Sequence, residues 1–103
     1  MSETSTELTD EQLQRIAKAI SDPQRFAILT CIARQDEIPC KTLVAEFPIT
    51  QATISHHLKE LVAADLIHSR REGQFAILSC RREVCDAYTQ VLSQRLVEPG
   101  KLT

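Results

Sequence analysis

Glycine is nearly missing from this chain: only Gly73 and Gly100 occur among 103 residues. A glycine-rich loop able to cradle a phosphate is therefore excluded, and the aliphatic composition points to a mainly helical globular fold. Paired carboxylates and a Cys–His arrangement of nucleophile and base are equally missing, so the chain reads as a non-enzyme. No positively charged start leads into a long apolar run, which speaks against a secretory signal or a membrane span and for a cytoplasmic location. Internal repeats and low-complexity segments do not occur.

What is present fits one domain of common size. A domain this small buries a modest share of its surface, and pairing with a second copy is a natural supplement. Four cysteines occur, Cys31, Cys40, Cys80 and Cys85. Without a signal peptide they read as reduced thiols and not as a disulfide framework. Net charge is −2, but its distribution is uneven. Residues 41–82 hold Lys41, Lys59, Arg70, Arg71, Arg81 and Arg82 against Glu46, Glu60, Asp65 and Glu72, a net excess of positive charge in an acidic chain. Binding of a polyanion through this middle part would weaken with salt.

Residues 1–9 and 97–103 read as tails around a domain of residues 10–96. Thr9 with Gln12 three residues on has the form of a capping box. Leu13, Ile16, Ala17 and Ile20 then recur at helical spacing. Asp22 and Pro23 start a second helix, expected to run to about Arg34 and to be apolar around most of its circumference, as suits a central buried helix. Ile38, Pro39 and Cys40 form a short extended piece, and residues 41–47 a third helix with Leu43, Val44 and Phe47 facing inward.

The stretch PITQATISHHLKELVAADL, residues 48–66, carries the strongest signal. Thr50 is a good N-cap. Ile54, Leu58 and Leu61 form an apolar stripe that Ala52 and Val62 extend at its edges. Gln51, Thr53, Ser55, His56, Lys59 and Glu60 make the opposite face. A helix so built docks by its stripe and offers its first two turns to the edge of a DNA duplex. Asp65 breaks it. Two alternating strands follow around a tight turn at Glu72-Gly73, with Arg70, Arg71 and Gln74 near the tip. A last helix spans residues 82–96, with Val84, Tyr88, Val91, Leu92 and Arg95 on one face and Cys85 and Ala87 beside it. The order is α-α-β-α-α-β-β-α: mainly helical with a small β-hairpin, a winged helix-turn-helix.

The runs SDPQRFAIL, TQATISHHLKEL and ADLIHSRREGQFAIL resemble the ArsR-type winged-helix repressors of bacteria, over nearly the whole chain. The resemblance implies a homodimer joined by the first and last helices, which binds an imperfect inverted repeat of double-stranded DNA and usually represses transcription. On that pattern Leu13, Ile16, Ile20, Val84, Tyr88, Val91 and Leu92 would form the dimer interface. Many members release DNA on binding a metal or on thiol oxidation. The family's Cys-x-Cys metalloid motif is absent here: Pro39 and Lys41 occupy the two thiol positions, with Cys40 between them. The metal site of its last helix is absent too, because residues 82–96 contain no histidine. Oxidant-sensing members use one cysteine in the second helix and one in the last. Cys31 and Cys85 lie in those helices, Cys31 one position past the usual place.

The DNA-binding candidates are Thr50, Gln51, Thr53, Ser55, His56, His57, Lys59, Arg70, Arg71 and Gln74. Glutamine pairs bidentately with adenine and hydroxyls suit bases or phosphates. For His57, packing and phosphate contact are both open, and one of Arg70 and Arg71 is expected to pair with Glu72. Cys31 and Cys85 read as small buried hydrophobes. Cys40 at a helix start, and Cys80 beside Arg81 and Arg82, read as the more reactive thiols. No cofactor is implied; a metal or metalloid held by Cys40 with a second thiol is the alternative. The rival to a DNA-binding repressor is a winged-helix protein-interaction module.

Overall fold

The chain starts its helices with side-chain caps, and these set the frame. In the computed structural model, which describes residues 7–98, Thr9 Oγ1 accepts from the Gln12 N–H at 3.1 Å while Gln12 Oε1 accepts from the Thr9 N–H at 3.0 Å. This capping box opens α1, Asp10–Ile20. Asp22 Oδ1 accepts from the Arg25 N–H at 3.0 Å and Pro23 takes the first position of α2, Pro23–Ala33. The outer parts of the two expected tails, residues 1–6 and 99–103, lie outside the described residues.

Next come β1 (Ile38–Pro39), α3 (Cys40–Ala45), α4 (Gln51–Ala63), β2 (Ile67–Glu72), β3 (Phe75–Cys80) and α5 (Arg82–Leu92), followed by a π-helical turn, Ser93–Val97. The sheet is antiparallel with order β1-β3-β2. Ile38 pairs with Leu78, and β2 and β3 pair from Ile67–Cys80 to Glu72–Phe75. Pro39, which has no N–H to give, sits on the edge strand. α3, the turn and α4 form the helix-turn-helix, and β2–β3 is its wing.

One core ties these elements together. Ile16 of α1, Ile28 and Ile32 of α2, Leu43 of α3, Ile54 and Leu61 of α4 and Leu78 of β3 are all fully buried. Each such side chain contributes about 1.5–3 kcal/mol through removal from water. α4 ends in a Schellman motif: Asp65 N–H donates to the Val62 carbonyl at 2.9 Å and Leu66 N–H to the Leu61 carbonyl at 3.0 Å. Asp65 itself has φ 63°, the left-handed conformation that glycine usually fills. Leu66 and Leu61 are both buried, which supplies the apolar contact that accompanies this cap.

The element order is as expected, and the differences lie at faces and ends. α2 is not buried all round: Phe26 and Ala27 face outward. In α1, Ala19 is buried and Ala17 exposed, because the helix leans on α2 and α4 through a slightly rotated stripe. In α4, Val62 and Ala52 are exposed, and His57 takes the place expected for them in the inward stripe. α3 stops at Ala45, two residues early. The hairpin loop is Gly73-Gln74, since Glu72 still pairs with Phe75. Positive φ falls on Gly73 and not on Gln74, as a type II′ turn requires. α5 gives way to the π-helical turn after Leu92, short of the expected end at residue 96.

Candidate nucleic-acid interface

The first two turns of α4 form the most exposed polar helix surface next to the wing. Thr50 caps the helix: its Oγ1 accepts from the Thr53 N–H at 3.1 Å and its hydroxyl bonds the Thr53 hydroxyl at 2.9 Å. Both groups expected at the DNA are therefore partly committed to the helix start. Gln51, Ser55, His56 and Lys59 are exposed. Ala52, exposed and at helical spacing from Ser55, His56 and Lys59, belongs to this same face.

His57 turns the other way. It is 5% exposed, the one buried polar side chain among the described residues. Arg25 Nε donates to its Nδ1 at 3.3 Å, so the ring hydrogen resides on Nε2, which lies 3.0 Å from Gln24 Oε1. Arg25 Nη1 also donates to the Ala19 carbonyl at 3.2 Å. Of the two readings left open for His57, packing is the one its burial and its two partners support. The result is a polar lock between the start of α2 and the middle of α4, with each buried atom satisfied. Asp22 at the same α2 start holds its pKa below the ordinary 3.8, first because it accepts the Arg25 N–H.

The two wing arginines are not equivalent. Arg70 forms a fork on Glu37, through Nη1 to Oε2 and Nη2 to Oε1, and bonds Glu72 Oε2 at 2.9 Å. The Arg70 guanidinium holds the Glu37 carboxyl below the usual range, and the two carboxylates push Arg70 further up. Arg71 is exposed and has no ion pair among the described residues. It lines a cleft of about 260 Å³ between α3, α4 and the wing, together with Gln51, Gln74 and Lys41. Lys41 is not among the DNA contacts expected from sequence, because only the fold brings it beside Gln51 and Arg71. Its Nζ lies 5.2 Å over the Phe75 ring, which carries it to the wing side of the cleft.

On another face, α1, α2 and α5 leave an apolar groove of about 550 Å³, lined by Ile20, Phe26, Leu29, Tyr88 and Leu92 among others. Phe26 is 50% exposed, Leu96 72% and Val97 75%. Of the residues expected at a dimer interface, Ile16 and Val84 are 1% and 3% exposed and pack in the protomer core, with Ile16 also on the floor of this groove. Leu13, Ile20, Tyr88, Val91 and Leu92 keep partial or full exposure. Arg82 ties α5 to α2, its Nη2 donating to the carbonyls of Ala33 at 2.7 Å and Gln35 at 3.2 Å. The Ala33 carbonyl is an orphan at the end of α2 and the Gln35 carbonyl follows in the turn, both satisfied by a cation.

The thiols are arranged differently from expectation. Cys40 opens α3, yet burial pushes its pKa up, and the same cause raises Cys31. A six-residue helix does not offset that desolvation. Cys80 and Cys85 lie with their sulfurs 3.6 Å apart, a contact that spacing in the sequence did not reveal. Burial first, then Cys80, push Cys85 up to about 12. A family-type metal site does not fit these residues: Pro39 and Lys41 offer no thiolate. Among the described residues no group of three or more His, Cys, Asp or Glu is placed to hold a metal ion.

Comparison with known proteins agrees with this geometry. A helix-turn-helix domain family model matches residues 20–70. The arsenical resistance operon repressor of Staphylococcus xylosus is 33% identical over 82 residues, 80% of this chain and 78% of that protein. An ArsR-like transcriptional regulator from Rhodococcus sp. RHA1 superposes with a TM-score of 0.78 at 23% identity, covering 88% of this chain and 85% of that one. The homodimeric winged helix-turn-helix DNA-binding domain from Mycobacterium bovis superposes with a TM-score of 0.68 at 22% identity, covering 90% and 94%. Capped helix, wing and sequence kinship converge: the chain belongs to the ArsR-type family of winged helix-turn-helix transcriptional regulators.

Proposed function

We propose that the protein is a homodimeric, sequence-specific repressor of transcription in the cytoplasm that reads an inverted-repeat operator. The observation that carries this reading is the exposed first half of α4, held in place from behind by the Arg25–His57–Gln24 lock and flanked by the Arg71 and Lys41 cleft. Gln51, Ser55 and His56 are the side chains for base edges, and Ala52 suits a thymine methyl. Thr53, Lys59, Arg71, Gln74 and Lys41 are placed for phosphates, which fix register. Thr50 acts through the cap and Arg70 through its pair with Glu37.

The apolar groove between α1, α2 and α5 is the seat of the second copy. Exposed Phe26 and Leu92 at its rim support this, as does the homodimeric state named for the Mycobacterium bovis domain. Two α4 helices then enter successive major grooves about 34–36 Å apart. A fluorescence titration with labelled DNA from the protein's own promoter region is the test. Specific binding that weakens linearly in log salt is expected; no sequence preference at low salt overturns the reading in favour of a protein-interaction module.

A further inference from the structure

Cys80 ends the wing strand β3 and Cys85 lies in the first turn of α5, five residues on. Their sulfurs are 3.6 Å apart, and both residues are half-buried on the lining of the apolar groove. No other pair of sulfurs meets among the described residues. We propose that this thiol pair is a modification site, which a peroxide converts to an intramolecular disulfide that ties the wing strand to α5.

The geometry favours closure within one protomer. A disulfide needs its sulfurs about 2.05 Å apart, so the pair must close by roughly 1.5 Å, within reach of small side-chain rotations. Cys80 sits at the last rung of the β2–β3 ladder, opposite Ile67. Both residues keep partial exposure in the protomer, so an oxidant as small as hydrogen peroxide reaches them when no second copy covers the groove. Burial and the neighbouring Cys80 disfavour the Cys85 thiolate, which casts Cys85 as the resolving sulfur. Cys80 sulfur attacks one peroxide oxygen, the O–O bond breaks, and a sulfenic acid and one water form. Cys85 sulfur then displaces the sulfenic oxygen, which leaves with the Cys85 proton as a second water. Two thiols are oxidised to one disulfide and the peroxide is reduced to two waters.

The consequence for DNA rests on the proposed function. The link fixes the wing strand to the helix that lines the dimer groove, and so couples wing position to the pairing of protomers. Oxidised protein then binds operator about tenfold more weakly, inside the usual range for coupled sites.

The test treats the full chain with hydrogen peroxide and reads thiol count, peptide map and DNA affinity. Two of the four thiols disappear, a Cys80–Cys85 linked peptide forms, and the double variant C31S/C40S loses both of its remaining thiols. C80S forms no such link and keeps its DNA affinity under peroxide. A cross-link that maps to another pair, or C31S/C40S protein that keeps both thiols, overturns the site. C80S protein that loses DNA affinity as the natural chain does overturns the coupling. Linked protein that binds no DNA even after reduction overturns the DNA reading, while the peptide map still upholds the thiol site.

Discussion

The α4–wing surface and the α1–α2–α5 groove are opposite solutions to exposure. On α4 every outward side chain near the start is polar or small, and the buried side of the helix is finished. Ile54, Leu58 and Leu61 fill the core, and His57 is fully bonded behind them. In the groove the outward side chains are Phe26, Tyr88 and Leu92, and the apolar surface stops without a cover. A patch of this kind marks an interaction surface. The first face offers polar groups above a finished core; the second leaves apolar side chains at the surface. On the proposed function these two faces divide DNA reading from assembly, so each can be broken alone.

Breaking the groove has the largest expected effect. Phe26→Asp places a charge where the partner should seat but at a position already half exposed, so the protomer keeps its fold. An unpaired charge buried at an interface costs about 3–5 kcal/mol. Sedimentation should show monomer at concentrations where the natural chain is dimeric, with operator affinity falling alongside. If Phe26→Asp stays dimeric, the groove is not the interface.

Breaking the polar face comes next. The double change Ser55→Ala and His56→Ala should remove base contacts worth about 1–3 kcal/mol each. Specific affinity should drop by ~10-fold or more while sedimentation and melting temperature hold. A double variant that binds as before would move base reading to other residues.

The wing sharpens the contrast at smaller scale. Arg71→Ala should weaken binding evenly across DNA sequences and lower the salt slope by about 1. Arg70→Ala, whose side chain is spent on Glu37 and Glu72, should change the slope less. Equal slopes for the two variants would erase the assigned difference between them.

The smallest effect concerns the α2 start that carries the lock behind α4. Because the folded protein depresses the Asp22 pKa below 3.8, the stabilisation from this cap is complete above that value. It is lost as pH falls through the lowered folded value. Asp22→Ala should lower the melting temperature by a few degrees at pH 7, and the gap to the natural chain should close on acidification. A gap that is unchanged down to the acid limit would assign the cap's contribution elsewhere.

Local signals in the chain were enough for much of this. The Thr9–Gln12 box, Asp22-Pro23, Thr50 and the Gly73 turn each act over three or four residues, so element order and the helix-turn-helix were legible from them. The exposed faces of Gln51, Ser55, His56 and Lys59 were legible for the same reason, since helical spacing alone separates them from Ile54, Leu58 and Leu61. Where a residue's partner lies far along the chain, periodicity is silent. His57 could be placed only once Gln24 and Arg25 were packed against it, 33 and 32 residues away. Arg70 and Arg71 were told apart by Glu37, which the fold brings from before β1. Ile16 and Phe26 are both apolar in helices, and only packing decides which is core and which stays at the surface. The Cys80–Cys85 contact likewise depends on the angle between β3 and α5. The sequence by itself determined the elements and the exposed polar face of α4, because caps and spacing are local. The tertiary structure alone decided the lock, the free arginine, the groove and the thiol pair, because each joins residues that only packing brings together.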